Sequence, residues 1–358
     1  MDSNLVVIDG SIGEGGGQIL RTALALSAVL MKPIKIFNIR VKRKNPGLQP
    51  QHLTAVRAVA TLVDAEVKGA YKGSTELLFI PRLRRSGYFR FNIGTAGSIT
   101  LVMQATLPVM AFAPEKTCIE IIGGTDVPWS PPIDYVRFVL KYFLDRMGLS
   151  LHVSIRRRGH YPRGGGIVEY CVEPVFPLKS INIVERGAVK AIRGLSHAVR
   201  LPKHVALRQA DAASKYLVEK GYPKPSIDIE WYEPHRDKHL GPGSGIVVWA
   251  LCEHSILGGD SIGARGKPAE KVGIEAAAKL VEDLSTGKGL DRHMSDMLIP
   301  FLALAKGTSH VGGAKYTLHA HTNALIVSRI IGEDIAEING ELNKPFEMRI
   351  KGIGFEPT

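Results

Sequence analysis

Three cysteines in 358 residues, Cys118, Cys171 and Cys252, are too few, too widely spaced and odd in number to suggest a disulfide framework or a zinc knuckle. A reducing, cytoplasmic setting fits them. No uninterrupted apolar run approaches the length that crosses a bilayer. Residues 1–30 carry a strand-like Leu5-Val6-Val7-Ile8 and a glycine turn in place of a basic start and an apolar signal core. Secretion and membrane insertion are therefore not expected. No low-complexity tract divides the chain, and 45% hydrophobic content over this length suffices for one large domain with an insertion, or for two domains. Acidic residues are outnumbered by basic ones, 34 to 46, giving a formal net charge of +12. Such an excess suits an anionic partner, nucleic acid first and nucleotides second, although solubility alone also accounts for it.

What is present begins with a glycine-rich turn, Asp9 to Gly17, between the strand Leu5–Ile8 and a helix in which Ile19, Leu20, Ala23, Leu24 and Leu26 to Leu30 recur at helical spacing. Strand, glycine loop and helix together can cradle phosphate, because glycine lets backbone amides approach oxygen and a helix N-terminus favours negative charge. The loop is not a Walker A motif, since no Gly-Lys-Ser/Thr follows, and Gln18 occupies the third glycine position of a dinucleotide fingerprint. Glu14, Gln18 and Arg21 stand at the start of this helix as one metal ligand and two phosphate-binding side chains, or as solvated polar groups of an ordinary turn. A strand over Ile34–Ile39 then leads into Arg40-Val41-Lys42-Arg43-Lys44-Asn45-Pro46-Gly47, where alternation puts Arg40 and Lys42 on one face. Four cations in five positions suit a phosphate backbone or a triphosphate, and equally a solvated edge strand. Leu48 to Ala65 reads as a helix and Glu66 to Ile80 as a strand or hairpin.

The pattern restarts at Ile93-Gly94-Thr95-Ala96-Gly97-Ser98 with the apolar Ile99 to Phe112, and again from Ser295-Asp296 through Met297 to Ala305. Three approximate copies of one α/β unit favour an α+β fold of stacked repeats over a doubly wound sheet. Between the second and third copies, Asp134 to Met147 reads as a helix, Arg156 to Gly166 as a basic glycine-rich loop, and Ile183 to Lys288 as a smaller inserted α/β unit. That unit contains a Leu201–Lys220 helix and a mobile-looking Gly241-Pro242-Gly243-Ser244-Gly245. Near the C-terminus, Tyr316 to Asn323 alternates so that a strand would place His319 and His321 on one face. Thr322 or Asn323 would cap a following helix that ends near Gly332. A neutral imidazole there could act as base, metal ligand or nucleophile; two satisfied histidines on a surface or in a core are the plainer reading.

Taken together, Gly13-Glu14-Gly15-Gly16-Gly17-Gln18-Ile19-Leu20-Arg21, Pro46-Gly47-Leu48 with Gln51-His52-Leu53-Thr54, Gly123-Gly124-Thr125-Asp126, Tyr161-Pro162 with Gly164-Gly165-Gly166, and His319-x-x-Thr322-Asn323 closely resemble the RNA 3′-terminal phosphate cyclase family, on its catalytic, archaeal-type branch. The resemblance covers essentially the whole chain. It implies a large domain, residues 1–182 and 289–358, of three repeats similar to the C-terminal domain of bacterial translation initiation factor 3, with a smaller α/β domain, 183–288, inserted before the third.

It also implies that ATP, as substrate, adenylates the enzyme on histidine. AMP then passes to an RNA 3′-phosphate, and the 2′-hydroxyl closes a 2′,3′-cyclic phosphate. By matching positions, His319 resembles the nucleophile and His321 does not. Glu14 resembles the ligand of a divalent magnesium or manganese ion, and Arg21, Arg40, Arg43 and Gln51 resemble the residues around the phosphates. Gln104, Pro131 and the run His293, Met294, Ser295, Asp296 and Met297 fall where the family contacts the nucleotide. His293 departs from the tyrosine that stacks on adenine in a bacterial form, and imidazole can stack too. A homodimer is implied by the resemblance alone. The same fold also serves a ribosome-assembly relative without the histidine, so a non-catalytic RNA-binding role is the alternative. Enolpyruvyl transferases share similar repeats but need a phosphate-binding carbohydrate site, for which nothing here selects.

Overall fold

Gly13 takes a φ of +51° at a point where a Cβ would fall 2.3 Å from the Thr322 hydroxyl, so a side chain there is excluded both by backbone strain and by the close approach of a distant helix. That turn lies between β1 (Val6–Asp9) and α1 (Gly17–Leu30), a helix buried at every position from Gln18 to Val29. Burial all round is what its run of Ala, Leu and Ile demands. The computed structural model describes residues 5–332 and 335–357.

β2 (Ile34–Phe37) lies parallel to β1, as a helical crossover requires. α2 (Pro50–Leu62) starts with proline in its first turn and a reciprocal cap between Gln49 and His52. β3 (Glu66–Lys68) and β4 (Leu77–Ile80) pair antiparallel and complete a sheet of order β1-β2-β4-β3. A second sheet follows from β5 (Gly87–Asn92), α3 (Ile99–Ala111), β6 (Thr117–Gly123), α4 (Ile133–Tyr135), a π-helical stretch Val136–Leu140, α5 (Lys141–Arg146), β7 (Ser150–Arg157) and β8 (Gly166–Glu173). Its order is β5-β6-β8-β7.

After the short β9 (Asn182–Ile183) the chain forms β10 (Val189–Val199), α6 (Lys203–Glu219), β11 (Ser226–Trp231), β12 (Gly243–Cys252), β13 (Ile256–Ile262) and α7 (Ala269–Leu284). These strands make a sheet of order β11-β10-β12-β13 with its own apolar core, including Ile192, Leu217, Ile246, Val248 and Leu280. The chain then passes through α8 (Met294–Met297) and α9 (Ile299–Leu304) into β14 (Lys306–Gly313), α10 (Leu318–Ile331), β15 (Ala336–Asn339) and β16 (Phe346–Ile353). β14 pairs parallel with β9 and antiparallel with β16, giving the order β9-β14-β16-β15. Thus three of the four sheets share one arrangement, in which the first two strands run parallel and the last inserts antiparallel between the second and third; the sheet β11-β10-β12-β13, here the fourth sheet, does not share it. Helices and mixed sheets together make the fold α+β.

Several expectations are corrected, among them that no cysteines pair. Tyr316–Asn323 is not a strand, because the Thr317 hydroxyl accepts from Ala320 N at 3.1 Å and caps α10, so both histidines sit in a helical first turn. The strand expected to hold His319 is instead Lys306–Gly313. β2 stops at Phe37, and Arg40, with a φ of +55°, lies in a turn and not on an alternating face. The glycine stretch at 241–245 enters β12 from Gly243 onward.

Cys118 and Cys171, 53 positions apart in sequence, face each other across β6 and β8 and form a disulfide, with Cys252 free. Sheet register supplies the proximity that sequence spacing conceals. Non-reducing peptide mapping should recover Cys118 joined to Cys171 and Cys252 open to alkylation. Replacing both paired cysteines by serine should cost on the order of 2–4 kcal/mol in denaturant unfolding. An unchanged midpoint would remove the bond from the list of stabilising contacts.

Candidate active site

α1 packs against α2, α3 and α10, which brings four distant segments to one place: the glycine loop, the basic turn, the middle of α3 and the head of α10. His319 is the second residue of α10, with Thr322 and Asn323 three and four positions on, hence on the same face. The Thr322 hydroxyl accepts from Glu14 N at 3.0 Å and donates to Leu318 O at 2.6 Å. The Asn323 side chain accepts from Gln18 Nε2 at 3.0 Å and Thr22 Oγ1 at 2.6 Å, and donates to Asp296 O at 3.0 Å. The expected caps are therefore tethers that fix the histidine against the glycine loop. His321, two residues on and so turned to another face, contacts the Tyr316 hydroxyl through Nδ1 at 2.7 Å.

The His319 side chain keeps 47% of its exposure, with Nδ1 3.5 Å from Glu14 Oε2. Partial burial first, then Arg21, His293 and Arg43, hold its pKa down to about 4. It is therefore an uncharged imidazole at neutral pH, with a nitrogen lone pair in a basic surrounding. Arg43 pairs with Glu14 through its guanidinium, while Glu14 Oε2 is buried with no hydrogen-bond partner. An orphaned carboxylate oxygen suits a hard divalent cation such as magnesium or manganese. Glu14 is thus the residue that fits one.

Arg21 is buried, donating to Gln104 Oε1 at 3.0 Å and to Gln18 Oε1. Burial lowers its pKa to about 10, which still leaves it charged at neutral pH, and raises that of Asp296 to about 8 even though each opposes the other's shift. Arg40 spends its guanidinium on the carbonyls of Asn45 and Gly47, at 2.8 and 2.7 Å, and so shapes the basic turn from within. Gln51 accepts from Ser98 N at 3.0 Å, and Pro131 O accepts from Thr100 at 2.7 Å. His293 meets Tyr135 edge-on at 5.8 Å between ring centroids and keeps part of its surface. Met294, Ser295 and Met297 are buried in α8, Ser295 donating to Asp291 O at 2.7 Å.

His52 was quoted in the sequence only as part of a motif, and the structure gives it a role. Its ring accepts from Gln49 N at 3.1 Å and packs on Gly17. Burial, then Arg40 and Arg21, lowers its pKa to about 3. The Gln49-x-x-His52 spacing at a helix start was the available signal.

A family profile described as RNA 3′-terminal phosphate cyclase matches residues 12–336. The chain belongs to the RNA 3′-terminal phosphate cyclase family. It is an enzyme of ligase class by that membership. Proteins named RNA 3′-terminal phosphate cyclase from Ignicoccus hospitalis and Hyperthermus butylicus are 59% and 61% identical, over 98% and 99% of this chain and 99% and 100% of theirs. One from Staphylothermus marinus is 55% identical over 99% of both chains. A solved EPSP synthase from Acinetobacter baumannii aligns over 99% of this chain and 66% of its own, at 9% identity and a TM-score of 0.25, a likeness too weak to carry an argument. Among the described residues no helix is long and apolar enough to cross a membrane.

The depressed pKa of His319 has a definite sign. The unfolded imidazole binds a proton near pH 6.5 and the folded one only near 4, so this group costs stability as pH falls through that window and nothing above it. Titration followed by NMR should place the His319 midpoint near 4; a midpoint at the ordinary value would remove the electrostatic account given above.

Proposed function

We propose that this enzyme converts an RNA 3′-terminal phosphate to a 2′,3′-cyclic phosphodiester at the expense of ATP. The reading rests on one observation above all, an uncharged and accessible imidazole at the head of a helix, beside Glu14 and among Arg21 and Arg43. Family membership supports the overall reaction, and the chemistry of these groups supports its steps.

In the first step a ring nitrogen of His319 attacks the α-phosphorus of ATP. The bond to the β-phosphate oxygen breaks, pyrophosphate leaves, and AMP stays on the ring. Nδ1 faces Glu14, which leaves Nε2 to attack. A neutral imidazole need not lose a proton before it reacts. In the second step an oxygen of the RNA 3′-phosphate attacks the same phosphorus and the P–N bond breaks, returning a neutral ring. In the third the 2′-hydroxyl attacks the terminal phosphorus, its proton is lost to solvent or base, and AMP departs. Adenylation supplies the leaving group that a terminal phosphate lacks. A divalent ion on Glu14 would neutralise phosphate charge. Arg21 and Arg43 do the same from the protein side, and Gln104, Pro131 and residues 293–297 hold the nucleotide.

We further propose that the three sheets of like order are copies of one unit, similar to the C-terminal domain of initiation factor 3. Residues 1–182 and 289–358 then form the large domain and 183–288 the inserted one. The shared strand order and the separate core under the fourth sheet support that division. A homodimer rests on the family resemblance, and a cytoplasmic setting on the sequence reading, against whose cysteine argument the Cys118–Cys171 disulfide counts.

Intact-mass spectrometry after incubation with ATP and magnesium or manganese should find one added AMP in the wild type, none in His319→Ala, and most of it in His321→Ala. Equal loss in both variants would undo the assignment of the nucleophile. No adduct in a folded wild type that still binds RNA would favour the non-catalytic reading. Arg43→Ala should slow adenylation by on the order of 2 kcal/mol, the worth of a charge-assisted contact, and unchanged kinetics would leave that side chain only its pairing with Glu14.

A further inference from the structure

Away from His319, the second and fourth sheets meet over a group of buried ionisable side chains. Asp126 lies just beyond β6 and His160 just beyond β7, joined by a backbone bridge, and His197 projects from β10. All three are at least nine-tenths buried. His160 Nε2 and His197 Nε2 are 3.0 Å apart, and each is 3.9 Å from Asp126 Oδ2. A triangle with sides of 3.0, 3.9 and 3.9 Å has its centre about 2.1 Å from every corner, the length of a zinc–imidazole or zinc–carboxylate bond. We propose that Asp126, His160 and His197 form a site for one zinc-class divalent cation, which clasps the second sheet to the fourth.

A further observation points to a ligand. Asp126 Oδ1 is buried and has no hydrogen-bond partner, an arrangement that costs free energy unless something completes it. It is a spare donor to a cation. Charge is arranged around the same carboxylate. Arg158 is buried between Asp126, at 3.3 Å, Asp134, at 2.7 Å, and Glu230, which it grips at 2.7 and 2.6 Å. Arg137 also lies 3.7 Å from Asp134, so three carboxylates, Asp126, Asp134 and Glu230, face two guanidinium groups, and a cation would offset the formal excess of negative charge.

Arg158 is the obvious objection, since it stands next to a ligand. Its charge is already engaged by Glu230 and Asp134, and the Thr125 hydroxyl, 2.6 Å from Asp126 Oδ2, orients the carboxylate as outer partners of metal ligands do. Space is reserved as well. A Cβ on Gly243 would fall 2.0 Å from the His160 ring, and one on Gly245 would fall 2.9 Å from His197 Cε1. Imidazole and carboxylate donors together suit zinc better than magnesium.

The test uses full-length protein made without a histidine tag, stripped by chelator and dialysed against zinc or cobalt(II), with no ATP. One zinc per chain by elemental analysis, and the visible absorption of low-symmetry four-coordinate cobalt, are expected. Glu14→Gln should keep the metal, which separates this site from the phosphate chemistry. His197→Gln and Asp126→Asn should weaken binding by more than the roughly 10- to 100-fold that loss of an outer partner costs. Zinc should also raise the wild-type melting temperature and leave that of His197→Gln unmoved. Wild-type protein that takes up no zinc, or a His197→Gln variant that retains it in full, overturns the site and leaves the two imidazoles sharing a neutral hydrogen bond. If His197→Gln does not fold, wild-type stoichiometry and the cobalt spectrum decide alone.

Discussion

The attachment of α10 to the glycine loop governs the site, and it is made without charge. Thr322 takes the amide of Glu14 and returns its own proton to the preceding turn. Asn323 spends both ends of its amide on α1 and on the backbone at Asp296. Neutral, buried, directional bonds of this kind do not rearrange when a charged ligand arrives, as ion pairs do. The charged side chains of Glu14 and Arg43 and the uncharged imidazole of His319 are therefore left out of the scaffold and free for chemistry.

Burial sets what those groups can do. Burial raises Asp296 to about 8, so its carboxyl is mostly protonated at neutral pH, while Arg21, lowered only to about 10, keeps its charge; the floor of the site is therefore more positive than its sequence suggests. The turn above it is basic in name but partly committed: Arg40 is spent on carbonyls, Lys42 reaches Ser11 O at 2.9 Å, and Arg43 pairs with Glu14. An incoming phosphate, on the reading proposed here, competes with Glu14 for Arg43. A cation on Glu14 would ease that competition, because it replaces the guanidinium as partner to the carboxylate.

The sequence was most legible where a pattern was long. α1, α2 and α3 carry enough helical periods that the sequence shows them as helices, whereas the strand order of the sheets is not contained in that periodicity. It was least legible where few residues decide. Over Tyr316–His321 alternation of polar and apolar residues imitates a strand, and a single hydroxyl at Thr317 overrides it. The cysteine pair was hidden for another reason. Positions 53 apart become neighbours only through the register of β6 against β8, which no local pattern encodes. The buried group at Asp126, His160 and His197 was invisible likewise, because its three ligands come from two sheets.

The excursion between β9 and β14 shows how a long stretch of chain can serve a site it does not contain. Its ends are zipped together: Gly289 N donates to Val184 O at 2.9 Å, Arg186 N donates to Gly287 O at 3.0 Å, and Glu185 bridges Lys288. Ends already held side by side make the length of the intervening chain nearly irrelevant to the framework, since closure entropy grows only slowly with loop length. What matters is where the chain returns. It re-enters at Asp291, whose buried carboxylate takes the Tyr135 hydroxyl at 2.6 Å, Gly258 N at 2.8 Å, and His293 N and Met294 N at 2.9 Å each. One side chain thus joins α4, β13 and the start of α8. The position of Asp296 beside Arg21 is then a consequence of that junction, so the excursion and the floor of the site are mechanically one piece.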